Sequence, residues 1–393
     1  MTLFLLTFLS IYGGMHLYAL ARVQSAFKPG RSAVIMLSCL MIAGTGAPFW
    51  VRVCEKSGLD QTAVLIAWIG YGWMGFIWIL VSALLTLDLF RLLVSRMVSK
   101  RGSPVPRLLQ ARLSCEAALV FALLASCYGF FEARAIRTEH ITIPSARLSP
   151  SIRRVRIVQL SDVHLGLIVR EDRLKRMLRV VEQSEPDILV STGDLLDGRL
   201  SRQEGSSTYH GVAAMLANVK APSGKFAVTG NHEYYAGLEQ SLQVMQASGF
   251  RILRNESVSL ASGVVISGSD DPAWKRMSLP HPPGLDESDL LASLPSNRFR
   301  VHLKHRPVVE SRDQGAFDLQ LSGHTHHGQI FPFFLVTKLQ FPLSDGTTSL
   351  EKGSIIHVSR GTGTWGPPIR FLAPPEITVI DIVPVKAAHP PSS

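Results

Sequence analysis

From residue 132 onward this 393-residue chain has no cysteine; Cys39, Cys54, Cys115 and Cys127 all lie nearer the N-terminus. That excludes a disulfide framework and thiolate ligands for the larger part of the molecule. Acidic side chains are nearly missing from the first 131 residues, which hold Glu55, Asp60, Asp88 and Glu116 against 11 Lys and Arg, a net +7. The remainder carries 29 basic against 26 acidic residues, a net +3, so the overall +10 belongs mostly to the apolar end. The part after residue 131 has no basic stripe interleaved with aromatics, so nucleic acid is not expected as a partner. Internal repeats and low-complexity tracts are also lacking. What remains is 46% apolar and 18% charged, too apolar for a disordered chain.

Four stretches of the acid-poor end, at about residues 2–21, 32–51, 63–87 and 113–131, are long and apolar enough to cross a hydrocarbon core, which takes roughly 20 helical residues. The first lacks a basic n-region and reads as a retained helix, not a cleaved signal peptide. Residues 1–131 are therefore expected to form a membrane domain that makes the lipid bilayer a partner. Arg112 and Glu116, one helical turn apart, read as an interfacial pair. Basic residues gather in the first loop (Arg22, Lys28, Arg31) and the third (Arg91, Arg96, Lys100, Arg101, Arg107, Arg112). If those loops are cytoplasmic, four spans put the C-terminal part outside the cytoplasm. Arg134, Arg137, Arg147, Arg153, Arg154 and Arg156 weigh toward the other side.

Residues 132–153, with Pro144 and Pro150, read as a linker, and residues 384–393 as a loose tail. Between them, short apolar runs alternate with amphipathic helical stretches, an α/β pattern. Strands are expected at Arg154 to Leu160, Asp187 to Ser191, Lys225 to Thr229, Val264 to Ser267, Phe299 to Leu303, Phe317 to Leu321, Ile355 to Ser359 and Ile377 to Ile382, with a helix at Asp172 to Ser184.

Five strand ends carry polar clusters: Ser161-Asp162-Val163-His164, Gly193-Asp194-Leu195-Leu196-Asp197, Gly230-Asn231-His232-Glu233, His305 in Leu303-Lys304-His305-Arg306-Pro307, and Gly323-His324-Thr325-His326. Each alone is weak, since an isolated Asp-x-His is more often a capped turn. Together they set Asp162, His164, Asp194, Asn231, His305, His324 and His326 at successive strand exits, where loops distant in sequence converge. Burying so many polar groups without a compensating centre is costly. Carboxylates and neutral imidazoles suit divalent ions, with Mn, Fe, Zn and Mg all compatible and the imidazole content favouring transition metals. Two ions sharing one bridging carboxylate can clamp phosphoryl oxygens, and an unligated histidine can protonate the leaving oxygen.

The ordered set D-x-H, G-D-x-x-D, G-N-H-E, H and G-H-x-H resembles the calcineurin-like metallophosphoesterases over about residues 154–383. The runs Gly230 to Tyr235, Gly268 to Pro272, Gly323 to Ile330, and Val358 to Gly361 through Pro375-Glu376-Ile377 are similar to its membrane-tethered bacterial branch, which includes enzymes of the UDP-2,3-diacylglucosamine pyrophosphatase type. The resemblance implies a double β-sandwich flanked by helices. It implies two divalent metal ions, one held by Asp162, His164 and His326, the other by Asn231, His305 and His324, with Asp194 bridging. It makes His232 the proton donor, a metal-activated hydroxide the nucleophile, and a phosphorylated compound the substrate; anchoring beside a bilayer makes a lipid-linked phosphate a sensible substrate class. His327 departs from the branch, which often has glycine there. Asp197 and Glu233 read as residues that orient neighbours, Asp270 and Asp271 as a turn with Pro272. Arg360 and Arg370 read equally as phosphate contacts or strand-end ion pairs. An inactive binding module is the alternative; a degenerate site should lack a ligand, and all seven are present.

Overall fold

The computed structural model describes residues 2–99, 110–198 and 207–385, and divides into two compact units. The first comprises Met1–Glu132 with two short returns of the chain, Ile330–Pro332 and Gly366–Leu372. Its helices are α1 (Thr2–Phe27), α2 (Arg31–Lys56), α3 (Asp60–Ser99) and α4 (Ala111–Glu132). Among the described residues, α2, the stretch Asp60–Met97 of α3, and α4 are long and apolar enough to cross a membrane, three helices where four spans were expected, α1 not being among them. Arg112 and Glu116 pair at 3.0 Å on the exposed side of α4, as their spacing suggests. A second pair was not legible in sequence: Arg22 lies 2.8 Å from Asp88, which also accepts from the Tyr18 hydroxyl at 2.5 Å. A charge near an apolar span is tolerated when a partner faces it.

The second unit holds twelve described strands: β1 (Arg137–Ser145), β2 (Val155–Leu160), β3 (Ile188–Ser191), β4 (Lys225–Ala227), β5 (Arg251–Ile252), β6 (Glu256–Ser259), β7 (Val264–Ser269), β8 (Phe299–Lys304), β9 (Leu319–Ser322), β10 (Gly346–Ser349), β11 (Ile355–Val358) and β12 (Glu376–Pro384). They form two six-stranded mixed sheets, ordered β1-β12-β2-β3-β4-β5 and β10-β11-β9-β8-β7-β6. Ile157, Val190 and Phe226 of the first sheet share a buried core with Ile266, Val301 and Leu321 of the second, giving the expected sandwich. The helix α5 (Glu171–Gln183) buries Leu174, Met177, Leu178 and Val181, one apolar face at helical spacing.

The linker expectation is corrected in part. Residues 137–145 are β1, paired parallel with β12 from Arg137 opposite Glu376 to Ser145 opposite Pro384. An edge strand exposes one side, so polar residues and a proline near its end are compatible with pairing and read as loop. Residues 386–393 of the expected tail lie outside the described residues, and Pro384 closes β12.

Parallel pairing places the site. β2, β3 and β4 are parallel neighbours in one sheet, and β8 and β9 in the other, so their carboxyl ends share one edge of the sandwich. Gln159 ties the sheets together beneath that edge, donating to the Thr192 hydroxyl at 2.9 Å and the Ser322 carbonyl at 3.0 Å.

Candidate metal centre

Each predicted residue emerges within a few positions of a strand end: Asp162 and His164 after β2, Asp194 after β3, Asn231 and His232 after β4, His305 after β8, His324 and His326 after β9. All are buried except His324, which is partly exposed. Asp162, His164, Asp194, His324 and His326 have φ between 50° and 71°. Such backbone costs about 1 kcal/mol or more per non-glycine residue and persists where the surroundings over-determine it. The motif glycines have a steric reason. A Cβ on Gly230 would stand 2.1 Å from Asp194 Oδ1, and one on Gly323 2.2 Å from Asp162 Oδ2, so only glycine lets these loops approach the carboxylates.

Among the described residues three groups of donors converge, one of them His164 with Asp197 and His232, and two of them carry the predicted ligands. Asp162, His164 and His326 form one of these two, Asp194, His305 and His324 the other. In the first, His164 Nε2 is 3.0 Å from His326 Nε2, and Asp162 Oδ1 is 3.4 Å from His326 Nε2. In the second, His305 Nε2 is 3.0 Å from His324 Nδ1, 3.2 Å from Asp194 Oδ2 and 3.3 Å from Asn231 Oδ1. Asp194 Oδ2 also lies 3.8 Å from His164 Nε2, so one carboxylate touches both groups.

Electrostatics fit cation binding. Burial, then the neighbouring imidazoles, pushes His164 and His324 down to about 3, leaving neutral rings, the form that can ligate a cation. Burial opposes ionisation of Asp162 and Asp194 as well, yet the surrounding histidines hold both below the usual carboxylate range. Burial also works against His305, but Asp194 and Asp162 override it and raise it to about 10. The two carboxylates thus demand positive charge here, and an imidazole proton supplies it. Two donors each ~2.1 Å from one ion stand ~3.0 Å apart at right angles and ~3.4 Å apart at the tetrahedral angle, close to the spacing of the two imidazole pairs. The residues fit divalent ions.

Asp197 and Glu233, read only as orienting groups, acquire specific tasks. Asp197 Oδ1 meets His232 Nδ1 at 2.9 Å. Burial would lower His232, but the charge of Asp194 and the bond to Asp197 raise it to about 9. Glu233 does not serve His232; its carboxylate accepts from the backbone N–H groups of Gly230, Asp194 and Leu196 at 2.7, 3.0 and 3.1 Å, locking two loops together.

Other candidates resolve structurally. Asp270 takes Thr229 and Arg254, and Asp271 takes a two-pronged bond from Arg306, the residue after His305. Arg360 pairs with Glu376 at 2.7 Å and with Glu139, the ion-pair reading. His327 lies 3.2 Å from Asp345 and stacks on Phe334, a partnered imidazole and not a free surface one. Two aromatics were missed: Tyr235 and Trp365, both about half exposed, with ring centres 5.6 and 6.0 Å from His232. Tyr235 closes the Gly230 to Tyr235 run, which was the available signal, whereas nothing beside Trp365 sets it apart from an ordinary surface aromatic.

Two mixed sheets with Asp, Asn and His donors gathered at strand exits define a metal-dependent hydrolase class. Residues 155–328 match the family model described as calcineurin-like phosphoesterase. The chain is similar to an uncharacterized metallophosphoesterase of Aquifex aeolicus, 40% identical over 265 residues, covering 67% of this chain and 98% of the relative. It is similar to the uncharacterized metallophosphoesterase YkuE of Bacillus subtilis, at 33% over 64% of this chain and 87% of the relative. It also resembles a Danio rerio protein named transmembrane protein with metallophosphoesterase domain, at 29% over 67% of this chain and 61% of that one. Among solved structures, a 5'-nucleotidase precursor from Thermus thermophilus aligns with TM-score 0.36 and 14% identity, over 58% of this chain and 54% of that one. The chain belongs to the calcineurin-like phosphoesterases, and is a metal-dependent phosphoester hydrolase.

Proposed function

We propose that the chain is a multi-pass, membrane-anchored phosphoesterase with two divalent ions, which hydrolyses a phosphoester or pyrophosphate bond of a lipid-linked substrate. The observation that carries the reading is the pair of 3.0 Å contacts between buried imidazole nitrogens, each beside a carboxylate. Asp162, His164 and His326 would hold one ion, Asn231, His305 and His324 the other, and Asp194 would serve both. When bound, such ions supply Lewis acidity and lower the pKa of water. The chain's own residues do the rest. Asp162 and Asp194 set the charge, and Glu233 fixes the two loops that carry Asp194 and Asn231. Asp197 holds the His232 ring through Nδ1, so that Nε2 presents the proton to a leaving oxygen. Tyr235 and Trp365 flank that ring and limit the approach of a substrate.

Anchoring follows from the apolar helices, and a tether of this kind keeps the site beside lipid phosphates. The relative from Danio rerio, named as transmembrane, supports the same arrangement. The basic first and third loops favour an extracytoplasmic catalytic domain.

The test is hydrolysis by the detergent-purified protein with Mn²⁺ across p-nitrophenyl mono- and diesters and UDP-diacylglucosamine. Turnover that disappears with chelation and returns with metal is expected; a fully loaded protein inert toward every member would sink the reading. For sidedness, a cysteine at an exposed position of the second unit, in a background without the four native ones, should react with an impermeant thiol reagent on intact cells.

A further inference from the structure

Two short segments of the chain return into the helical unit. Ile330–Pro332 follows directly on Gln329, and Gly366–Leu372 directly on Trp365. Gln329 and Trp365 exchange two hydrogen bonds, of 2.9 and 2.8 Å, so the two segments leave the second unit as a pair. Three hydrogen bonds tie their backbones to protein within the helical unit. The Ile330 carbonyl accepts from the Trp78 indole at 3.2 Å, the Phe331 N–H donates to Phe371 O at 3.0 Å, and the Arg370 N–H to Gly129 O at 3.0 Å. Irregular backbone at membrane depth needs partners of this kind. Gly75 and Gly129 make room: a Cβ would lie 3.0 Å from Ile369 at the first and 2.4 Å from it at the second.

Beside these segments α3 and α4 leave a groove of about 390 Å³, lined on the helices by Ile79, Ala83, Ala118 and Phe121 and closed by Phe331 and Phe371. Its hydroxyl-bearing residues are Ser82 and Thr86, and the Thr86 hydroxyl is taken by the Ser82 carbonyl at 2.8 Å. A cleft of ligand size with almost no polar lining, set in spanning helices, suits hydrocarbon and rejects a headgroup. Covalent reach links it to the chemistry. Phe331 is five residues from His326, at most ~18 Å of extended chain, and Phe371 is six residues from Trp365, whose ring stands beside that of His232.

We infer that this groove holds an acyl chain of the phosphorylated lipid on which the metal centre acts, an inference that rests on the proposed function. The test uses the full chain in nanodiscs with a series of alkyl p-nitrophenyl phosphates, from ethyl to tetradecyl. In the native protein kcat/KM should climb with chain length, by up to about fourfold per methylene. Partition into the bilayer lifts native and variant enzymes alike, so the readout is the difference between slopes. Ala117→Phe and Thr86→Phe fill the groove from exposed lining positions and should flatten the climb. Equal slopes in native protein and both variants would overturn the groove and leave the phosphoesterase standing. Failure of the native protein on every ester, ethyl included, would take down both. A second measurement does not depend on variants that fold: a phosphatidylcholine with a diazirine on its acyl chain should crosslink to residues 79–87, 117–121 and 331–332, and the decyl ester should suppress those adducts. Crosslinks that the ester leaves undiminished would mean a resident bilayer lipid, and the proposal would be wrong.

Discussion

His16 and three histidines of the metal centre, His164, His305 and His326, are buried to a similar degree, yet their nitrogens meet opposite fates. In the helical unit His16 is 2% exposed and saturated: Nδ1 meets the Tyr12 carbonyl at 2.7 Å, and Nε2 accepts from the Trp73 indole at 2.9 Å. In the second unit, His164 faces His326 and His305 faces His324, nitrogen to nitrogen, with Asp162 and Asp194 beside them. Burial of a histidine is thus no sign of a site. What distinguishes the two regions is whether each ring nitrogen meets its own separate partner or the nitrogens of two rings converge beside a carboxylate.

The sharpest way to break this comparison is at the carboxylate that touches both imidazole pairs. Asp194→Asn removes the charge while keeping the shape, and turnover should fall by more than about a hundredfold, beyond the usual loss from an outer-sphere change. Bound metal, measured by elemental analysis, should fall with it. Wild-type turnover with full metal content would remove Asp194 from the bridging position.

His232→Ala separates proton donation from metal holding inside the same cluster. A general acid contributes about 10²–10⁴-fold, so the rate should drop on that scale while metal content stays near that of the native protein. Loss of both ions would make His232 a ligand instead. An activated leaving group such as p-nitrophenolate, which needs little protonation, should recover part of the loss.

Much of the centre was legible in advance because its residues sit in rigid sequence contexts. Strand exits are marked by apolar runs such as Val155 to Leu160, and glycines before Asp194, Asn231 and His324 signal close backbone approach. The fold class was legible for the same reason, the alternation of strands with helices such as α5. Pairwise geometry was not. Nothing in the order of residues says that Asp197 takes His232 while Glu233 takes three backbone N–H groups, since both are acids one motif apart. The left-handed backbone of five donors is equally silent, because aspartate and histidine carry no glycine-like mark. β1 was hidden because an edge strand presents only one buried side to the pattern. The returns at Ile330–Pro332 and Gly366–Leu372 were hidden because each is too short for a membrane signal.

Asp197→Asn tests the task assigned to a residue that acts through another. Without that carboxylate the His232 imidazolium loses a stabilising partner, so its pKa falls from the raised value of about 9. Since the protonated ring is the active form, the alkaline limb of kcat/KM should move to lower pH, with a smaller loss near pH 6 than near pH 8. A uniform loss at every pH would point to a merely structural contact.

The smallest effect belongs to the saturated histidine. His16→Ala deletes two hydrogen bonds and leaves the Trp73 indole N–H without its acceptor in apolar surroundings. That should lower thermal stability in detergent by about 1–2 kcal/mol, while metal content stays at the native level, because both ring nitrogens were already engaged by protein. His16→Gln, able to accept from the indole, should regain part of the stability. If His16→Ala instead depleted the metal, the contrast would fail, since it holds that an ion answers to rings converging on one another beside carboxylates and not to a ring closed off by two separate partners.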